Sequence, residues 1–238
     1  MPSPPARTDS LALFLDFDGT LAPIQDDPET VALPEQGGDQ LVELAARLDG
    51  ALAVISGRAL IDLSSRVPEA LWRLGGHGMD AAEPGEPAQR SVVLAPEALK
   101  RAVDQLLRGA PGAWLEEKGP VLAVHYRSSP QAGPHLLAGL QTVLLDYPEY
   151  RLQSGKMVLE VKPSLADKGR ALERLMRHPP FAGRTPVMIG DDTTDEAAMS
   201  VALAQGGYAI KVGAGESVAP YRLKDPQEVW AWLTQPQI

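Results

Sequence analysis

Two aspartates stand two residues apart in Asp16-Phe17-Asp18-Gly19-Thr20, at the end of an apolar run that begins at Leu11. One carboxylate of such a pair can attack phosphorus as a nucleophile. The other can protonate a leaving oxygen and later take a proton from water. Gly19 permits a sharp turn, in which backbone N–H groups can hold phosphate oxygens, with Thr20 beside them. A strand end closed by an Asp-Gly turn has the same pattern, so the pair gains meaning only from partners elsewhere. Ser56, in Ser56-Gly57-Arg58, ends a second apolar run from Ala51 to Ile55 and can donate a hydrogen bond to a phosphoryl oxygen. Lys168, in Asp167-Lys168-Gly169, opens a helix running through Leu172 and Met176. Its ammonium can neutralise both the Asp16 carboxylate and an incoming phosphate. Gly190-Asp191-Asp192-Thr193-Thr194-Asp195-Glu196 follows a third run, Pro186 to Ile189, and holds four acids within six residues. Magnesium (Mg2+) favours oxygen ligands. Asp16, the backbone carbonyl of Asp18 and Asp191 would form such a site, with Asp192 and Asp195 behind them. Taken singly, a loop serine, a solvated lysine and an acidic helix cap explain the same residues. Their joint presence, each at the end of an expected strand or the start of an expected helix, argues for phosphoryl transfer.

Those positions require a particular scaffold. Short continuous apolar runs read as strands buried on both faces, as in parallel sheets. Leu41, Leu44, Ala45 and Leu48 recur at helical spacing and Gly50 supplies a stop. Tyr208 to Val212 reads as a further strand, and Leu71 to Leu74 as another. Strands alternating with helices predict an α/β fold with a parallel sheet, whose ligands bind at the carboxyl ends of the strands. The middle of the chain breaks this rhythm. Ala98 to Arg108 and Gln131 to Asp146 read as helices. Ala113 to Lys118 with Val121 to Arg127, and Tyr150 to Ser154 with Met157 to Val161, read as two hairpins, the second turning at Gly155. This predicts a smaller α+β cap domain at residues 95–163, inserted into a core made of 1–94 and 164–238.

Composition sets outer limits. With 238 residues, 44% of them hydrophobic, the chain can bury a sizeable core. A net charge of -9 argues against nucleic acid or an anionic membrane as partner. The absence of cysteine excludes disulfides, thiolate metal sites and a cysteine nucleophile. Met1 to Ser10 is proline-rich and lacks the apolar stretch of a secretory signal, so a disordered tail and a cytoplasmic location are expected. The oligomeric state is left open, with a monomer the simplest expectation.

Asp-Phe-Asp-Gly-Thr, Ser56, Lys168 and Gly-Asp-Asp together resemble the four motifs of the haloacid dehalogenase-like hydrolase superfamily. The resemblance implies a Rossmann-like core, Asp16 as nucleophile, Asp18 as acid and base, Asp191 as metal ligand, and an inserted cap. Further segments, namely Ile55-Ser-Gly-Arg58, Gly76-His77-Gly78, Glu116-x-Lys118 with His125-Tyr-Arg127, Gly155-Lys156-Met-Val-Leu-Glu160 and the run to Glu196, resemble the trehalose-6-phosphate phosphatase family. That implies a sugar phosphate as substrate and sugar hydroxyls bound by Glu116, Lys118 and Glu160. Arg58, His125, Arg127 and Lys156 are expected as further contacts, and Gly19, Thr20 and Gly57 as residues around the phosphate. The chain begins close to the core, so no fused synthase domain is expected.

From alternation alone, Glu116 and Lys118 share a strand face, as do His125 and Arg127, and Lys156 and Glu160. A ligand-binding face and a solvated face with cross-strand ion pairs both fit this pattern. His77 is equally compatible with a structural hydrogen bond and a substrate contact. Trp72, Trp114, Trp230 and Trp232 read as packing residues, with sugar stacking by Trp114 the lesser option. Rival functions are a phosphatase for sucrose phosphate or mannosyl-glycerate phosphate, a sugar phosphomutase, and a catalytically idle binding protein. The last would be favoured by loss of Asp16 or Asp18, and both are present.

Overall fold

The computed structural model describes residues 3–89 and 93–235. The chain forms two compact units, Met1–Gln89 with Asp167–Ile238, and Arg90–Ala166. The second unit thus runs from 90 to 166, against 95 to 163 in the sequence-based division. Among the described residues no helix is long and apolar enough to cross a membrane.

The first unit opens with β1 (Leu11–Leu15), all five of whose residues are buried. Next come α1 (Gly37–Arg47), β2 (Leu52–Ile55), α2 (Leu60–Ser64), β3 (Trp72–Gly75) and β4 (Asp80–Ala82). In α1, Leu41, Leu44 and Ala45 are buried on one stripe. Gly50, at φ +89°, closes the helix by donating its N–H to the Ala45 carbonyl, as its residue type predicts.

The second unit holds α3 (Glu97–Leu107), β5 (Trp114–Lys118), β6 (Val121–His125), α4 (Gly133–Val143), β7 (Tyr150–Gly155) and β8 (Val158–Pro163). Its antiparallel sheet runs β5-β6-β8-β7. Leu122, Val124, Leu159 and Val161 join Leu99 and Val103 of α3 and Leu136 and Leu140 of α4 in a core of its own. Alternation assigns the other face to the remaining residues. Register aligns Trp114, His125, Val158 and Gly155 in one row across the four strands, and Glu116, Ala123, Glu160 and Gln153 in the next.

The chain returns to the first unit with α5 (Lys168–Leu175), β9 (Thr185–Gly190), α6 (Glu196–Ala204), β10 (Tyr208–Val212), β11 (Tyr221–Leu223) and α7 (Pro226–Thr234). Its seven-stranded sheet has the order β11-β10-β9-β1-β2-β3-β4. All pairings are parallel except β3 with β4. This is the expected Rossmann-like core. From β1 the chain builds outward one way through β2 and β3. It then returns beside β1 and builds the other way through β9 and β10. The order therefore reverses at β1, where a crevice opens at the strands' carboxyl ends.

Three expectations need correction. Residues 3–10 are not a loose tail: buried Arg7 donates from Nε to the Trp232 carbonyl at 3.0 Å, and the Trp232 indole donates to the Pro5 carbonyl at 2.9 Å. A cation at the carboxyl end of α7 answers the unpaired carbonyls there. Met1 and Pro2 lie outside the described residues. Arg127 lies beyond the end of β6, in a turn, and does not share a strand face with His125. Lys156 is likewise in the turn with Met157, so it does not share a strand face with Glu160. Met157, at φ +63°, makes that turn, while Gly155 ends β7.

Candidate active site

Asp16 directly follows β1 and Asp191 directly follows β9, its neighbour in the sheet. Ser56 directly follows β2, on the other side of β1. Lys168 is the first residue of α5, because the Asp167 carboxylate caps that helix by accepting from the Gly169 and Arg170 N–H groups. A Cβ at Gly169 would lie 2.8 Å from the Ala197 carbonyl, so glycine lets α5 pack close to α6. Asp16, Lys168 and Asp191 come together within one unit, and Ser56 follows the strand on the other side of β1.

The buried Lys168 ammonium donates to Asp16 Oδ1 and to Asp195 Oδ1, each at 2.6 Å. Burial alone would make it less basic, but the two carboxylates outweigh that and raise its pKa. Asp195 is fully buried, and its other oxygen accepts the Asp192 N–H at 3.0 Å. Asp195 therefore spends both oxygens within the protein, one on the lysine and one on the turn leading into α6. Asp192 is exposed and contributes the reciprocal cap.

Asp16 is different. Its Oδ2 is buried and has no hydrogen-bond partner among the described residues. Desolvation pushes this carboxyl well above the usual carboxylate range; Lys168 opposes the shift, and Asp195 and Asp191 add to it. Burial, followed by repulsion from Asp195, also pushes Asp191 up to about 6. Asp16, Asp191 and Asp195 each offer an oxygen within 4.8 Å of the others. A carboxylate oxygen left without a donor beside a second, partly buried carboxylate is a donor set that suits a hard divalent cation.

The loop after β1 is shaped for this crowding. Gly19 has φ +84°, and a Cβ there would sit 2.1 Å from Asp191 Oδ2, so only glycine brings the Asp18-Gly19 backbone against that carboxylate. The buried Thr20 hydroxyl has no partner among the described residues. Ser56 Oγ accepts the Arg58 N–H at 3.1 Å, which uses a lone pair and leaves its O–H proton available. His77, buried at φ +56°, donates its N–H to the Ser56 carbonyl at 2.9 Å, and a Cβ at Gly57 would lie 2.8 Å from its ring. His77 thus braces the Ser56-Gly57 turn. Arg58, expected as a substrate contact, has its guanidinium on Asp18: Nε lies 2.8 Å from Oδ2 and Nη2 lies 2.6 Å from Oδ1.

In the second unit, Glu116 accepts from His125 Nε2 at 2.8 Å and pairs with Lys118 at 3.3 Å. Burial would raise the Glu116 pKa, but the His125 hydrogen bond and the Lys118 charge outweigh it and lower it. Trp114 stacks on His125 with ring centroids 4.3 Å apart.

The family model described as trehalose-phosphatase matches residues 14–227. The chain belongs to the trehalose-phosphatase family. Its members are phosphoric monoester hydrolases. Trehalose-6-phosphate phosphatase of Escherichia coli K12 is 38% identical over 234 residues, which cover 96% of this chain and 87% of that protein. The probable trehalose-phosphate phosphatase of Sinorhizobium fredii is 36% identical, covering 86% of this chain and 78% of that protein. Among solved structures, the C-terminal domain of Candida albicans trehalose-6-phosphate phosphatase superposes with a TM-score of 0.77 at 25% identity, over 94% of this chain and 90% of that one.

Within this family member, three residues of interest escaped the sequence reading. Buried Lys211 of β10 donates to the Asp191 carbonyl. Its signal was a lone charge inside the apolar Tyr-Ala-Ile-Lys-Val run. Gln153 falls in the row of Glu116 and Glu160, which only strand register reveals. Asp62 pairs with both Arg58 and Arg66.

Proposed function

We propose that the protein is a magnesium-dependent phosphatase that hydrolyses trehalose 6-phosphate to trehalose and phosphate through an aspartyl-phosphate on Asp16. The observation that carries this reading is the Asp16 carboxylate itself, tied by one oxygen to buried Lys168 and left with a second oxygen that no group among the described residues engages. That oxygen attacks phosphorus as the bond to the sugar oxygen breaks. Asp18 gives its proton to the leaving oxygen. Asp18 then takes a proton from water, which attacks phosphorus, breaks the Asp16–phosphorus bond and releases phosphate. Ser56 donates to a phosphoryl oxygen, and Lys168 offsets the charge that builds up, held in place by Asp195. Magnesium held by Asp16, the Asp18 carbonyl and Asp191 supplies charge neutralisation between two anions. Phosphate release from trehalose 6-phosphate, measured with magnesium and with chelator, tests the reading.

The raised pKa values of Asp16 and Asp191 set a pH dependence for metal binding. In the metal-free protein the raised Asp191 pKa favours the fold below about pH 4, and this contribution is lost as pH rises through about 6. A cation needs the ionised carboxylate, so metal replaces the proton as pH rises. The increase in Tm on adding magnesium to chelated protein is expected to be small at pH 5 and large at pH 7.5. Equal increases at both pH values would count against this ligand set.

Sugar choice falls to Glu116, Lys118 and Glu160, with His125, Arg127 and Lys156 as further contacts. A phosphate-and-metal site cannot tell one sugar from another. A site built to bond hydroxyls rejects analogues that leave its polar groups unpaired. Losing one charged contact costs about 2–4 kcal/mol of transition-state binding. Lys118→Ala and Glu160→Ala are each expected to cut kcat/KM on trehalose 6-phosphate by factors of about tens to hundreds. Turnover of a small aryl phosphate should change little. Parallel losses on both substrates would assign these residues to the fold.

A further inference from the structure

We propose that Asp62 is a positioning residue for the acid–base step, holding Arg58 so that Asp18 can leave it. The inference rests on the reading of Asp18 as proton donor. Both Asp18 oxygens are engaged by Arg58: Oδ1 accepts from Nη2 at 2.6 Å and Nε at 3.1 Å, and Oδ2 accepts from Nε at 2.8 Å. Arg58 is gripped equally well from behind. Its Nη1 donates to Asp62 Oδ2 at 2.7 Å and its Nη2 to the Pro28 carbonyl at 2.9 Å. The guanidinium also lies 5.6 Å from the centre of the Phe17 ring.

Asp62 is fixed in turn. Its Oδ1 accepts from Arg66 Nε at 2.9 Å and Nη2 at 2.7 Å. Arg66 Nη1 reaches the Glu29 and Val31 carbonyls, at 3.0 and 2.7 Å. The chain Asp18–Arg58–Asp62–Arg66 thus ends on the backbone of residues 28–31. Burial opposes ionisation of Asp62, but the hydrogen bonds from Arg58 and Arg66 outweigh it and lower its pKa.

The arrangement has a mechanical consequence. To present a proton to the leaving oxygen, Asp18 must turn an oxygen away from Arg58. A bidentate Arg–carboxylate pair keeps a fixed fork geometry, so a guanidinium not held from behind can follow the carboxylate as it turns. Asp62 and the Pro28 carbonyl prevent that by holding Arg58 where it is. Asp18 can then separate from a stationary partner and return to it. Without the Asp62 charge, Nη1 keeps at most a neutral amide acceptor in place of a carboxylate, and Arg58 is held less firmly when Asp18 turns away. The step that needs Asp18 slows, and the step that does not is spared.

Asp62→Asn tests this. Turnover of trehalose 6-phosphate should fall about tenfold, as when an outer partner of a reacting group is lost. KM and the phosphorylation burst with an activated aryl phosphate, whose leaving group needs no proton, should stay within about twofold, the normal variation for an uncoupled site. In an Asp18→Asn background, adding Asp62→Asn should have no further effect on single-turnover cleavage of trehalose 6-phosphate. Asp62→Glu, which keeps the carboxylate, should restore part of the rate. A Tm close to wild type establishes that the variants are folded. Equal loss on both substrates, or a full additional loss in the double variant, would make Asp62 structural and overturn the proposal. So would unchanged turnover in Asp62→Asn while Asp18→Asn is crippled, and the phosphatase reading would survive that result. Undiminished turnover in Asp18→Asn would instead remove the acid–base assignment on which the proposal rests.

Discussion

Asp16→Asn is expected to abolish phosphate release, with a loss of at least about 10⁴-fold, the scale seen when a nucleophile is removed. An amide is a poor nucleophile and a weaker ligand for a hard cation, so both functions of this carboxylate fail together. Stability should behave differently. In the metal-free protein, desolvation raises the Asp16 pKa well above the usual range. Its ionised form therefore costs folding free energy at neutral pH. Asparagine keeps the shape and removes that cost, while Lys168 retains Asp195 as a partner. Tm in chelator should thus hold or rise, the pattern of a site whose function is bought with stability. Residual activity above about one per cent, far more than loss of a nucleophile allows, would rule out the covalent intermediate. A collapse in Tm would make Asp16 structural first.

Lys168→Met should be equally inactive and have the opposite effect on stability. The ammonium lies between Asp16 and Asp195, 2.6 Å from each, and its side chain is 2% exposed. Removing it leaves two buried carboxylates facing each other without a cation. Breaking a buried pair in this way costs about 3–5 kcal/mol. For a chain of this size, that is a fall in Tm of roughly 6–20 °C. The sign of the pH dependence follows. The raised Lys168 pKa keeps its ammonium charged throughout the neutral range. In the variant Asp16 loses the cation that opposes its raised pKa, so stability is lost as pH rises. The deficit in Tm relative to wild type should be larger at pH 7.5 than at pH 5. A shift below about 2 °C, under 1 kcal/mol for a chain this long, would mean the pair contributes little to the fold. Together the two variants separate chemistry from packing, because activity falls in both and stability moves in opposite directions.

The positions of Asp16, Ser56 and Asp191 were legible because the core strands are buried on both faces. Each therefore reads as an unbroken apolar run, and the first polar residue after it falls at the crevice. The Asp167-Lys168-Gly169 turn was legible for a related reason, since cap, cation and close-packing glycine each leave a residue-type signature. Arg58 was legible as a cation and misleading as to its partner. Its spacing of four residues to Asp62, and of four more to Arg66, is a helical pattern. Only Asp62 of the three lies in α2; Arg58 precedes it and Arg66 follows it in a turn, and five helical residues are too few for a periodicity to show. The strands β4 and β11, of three residues each, escape for the same reason. Lys156 was misplaced because turn chemistry pointed to Gly155, whereas the left-handed residue is Met157, whose type gives no such signal. The anchoring of residues 3–10 depends on Arg7 meeting Trp232, 225 positions away, and no local pattern carries that information.

The most direct measurement is phosphate release from trehalose 6-phosphate by the purified protein, beside sucrose 6-phosphate and glucose 6-phosphate, with magnesium and after exhaustive chelation. With magnesium, kcat/KM for trehalose 6-phosphate should exceed that for the other two by about a hundredfold or more, the discrimination expected of a site that bonds hydroxyls. Chelation should reduce release to background, and added magnesium should restore it. Full activity in chelator, or a preference for another sugar phosphate, would contradict the account.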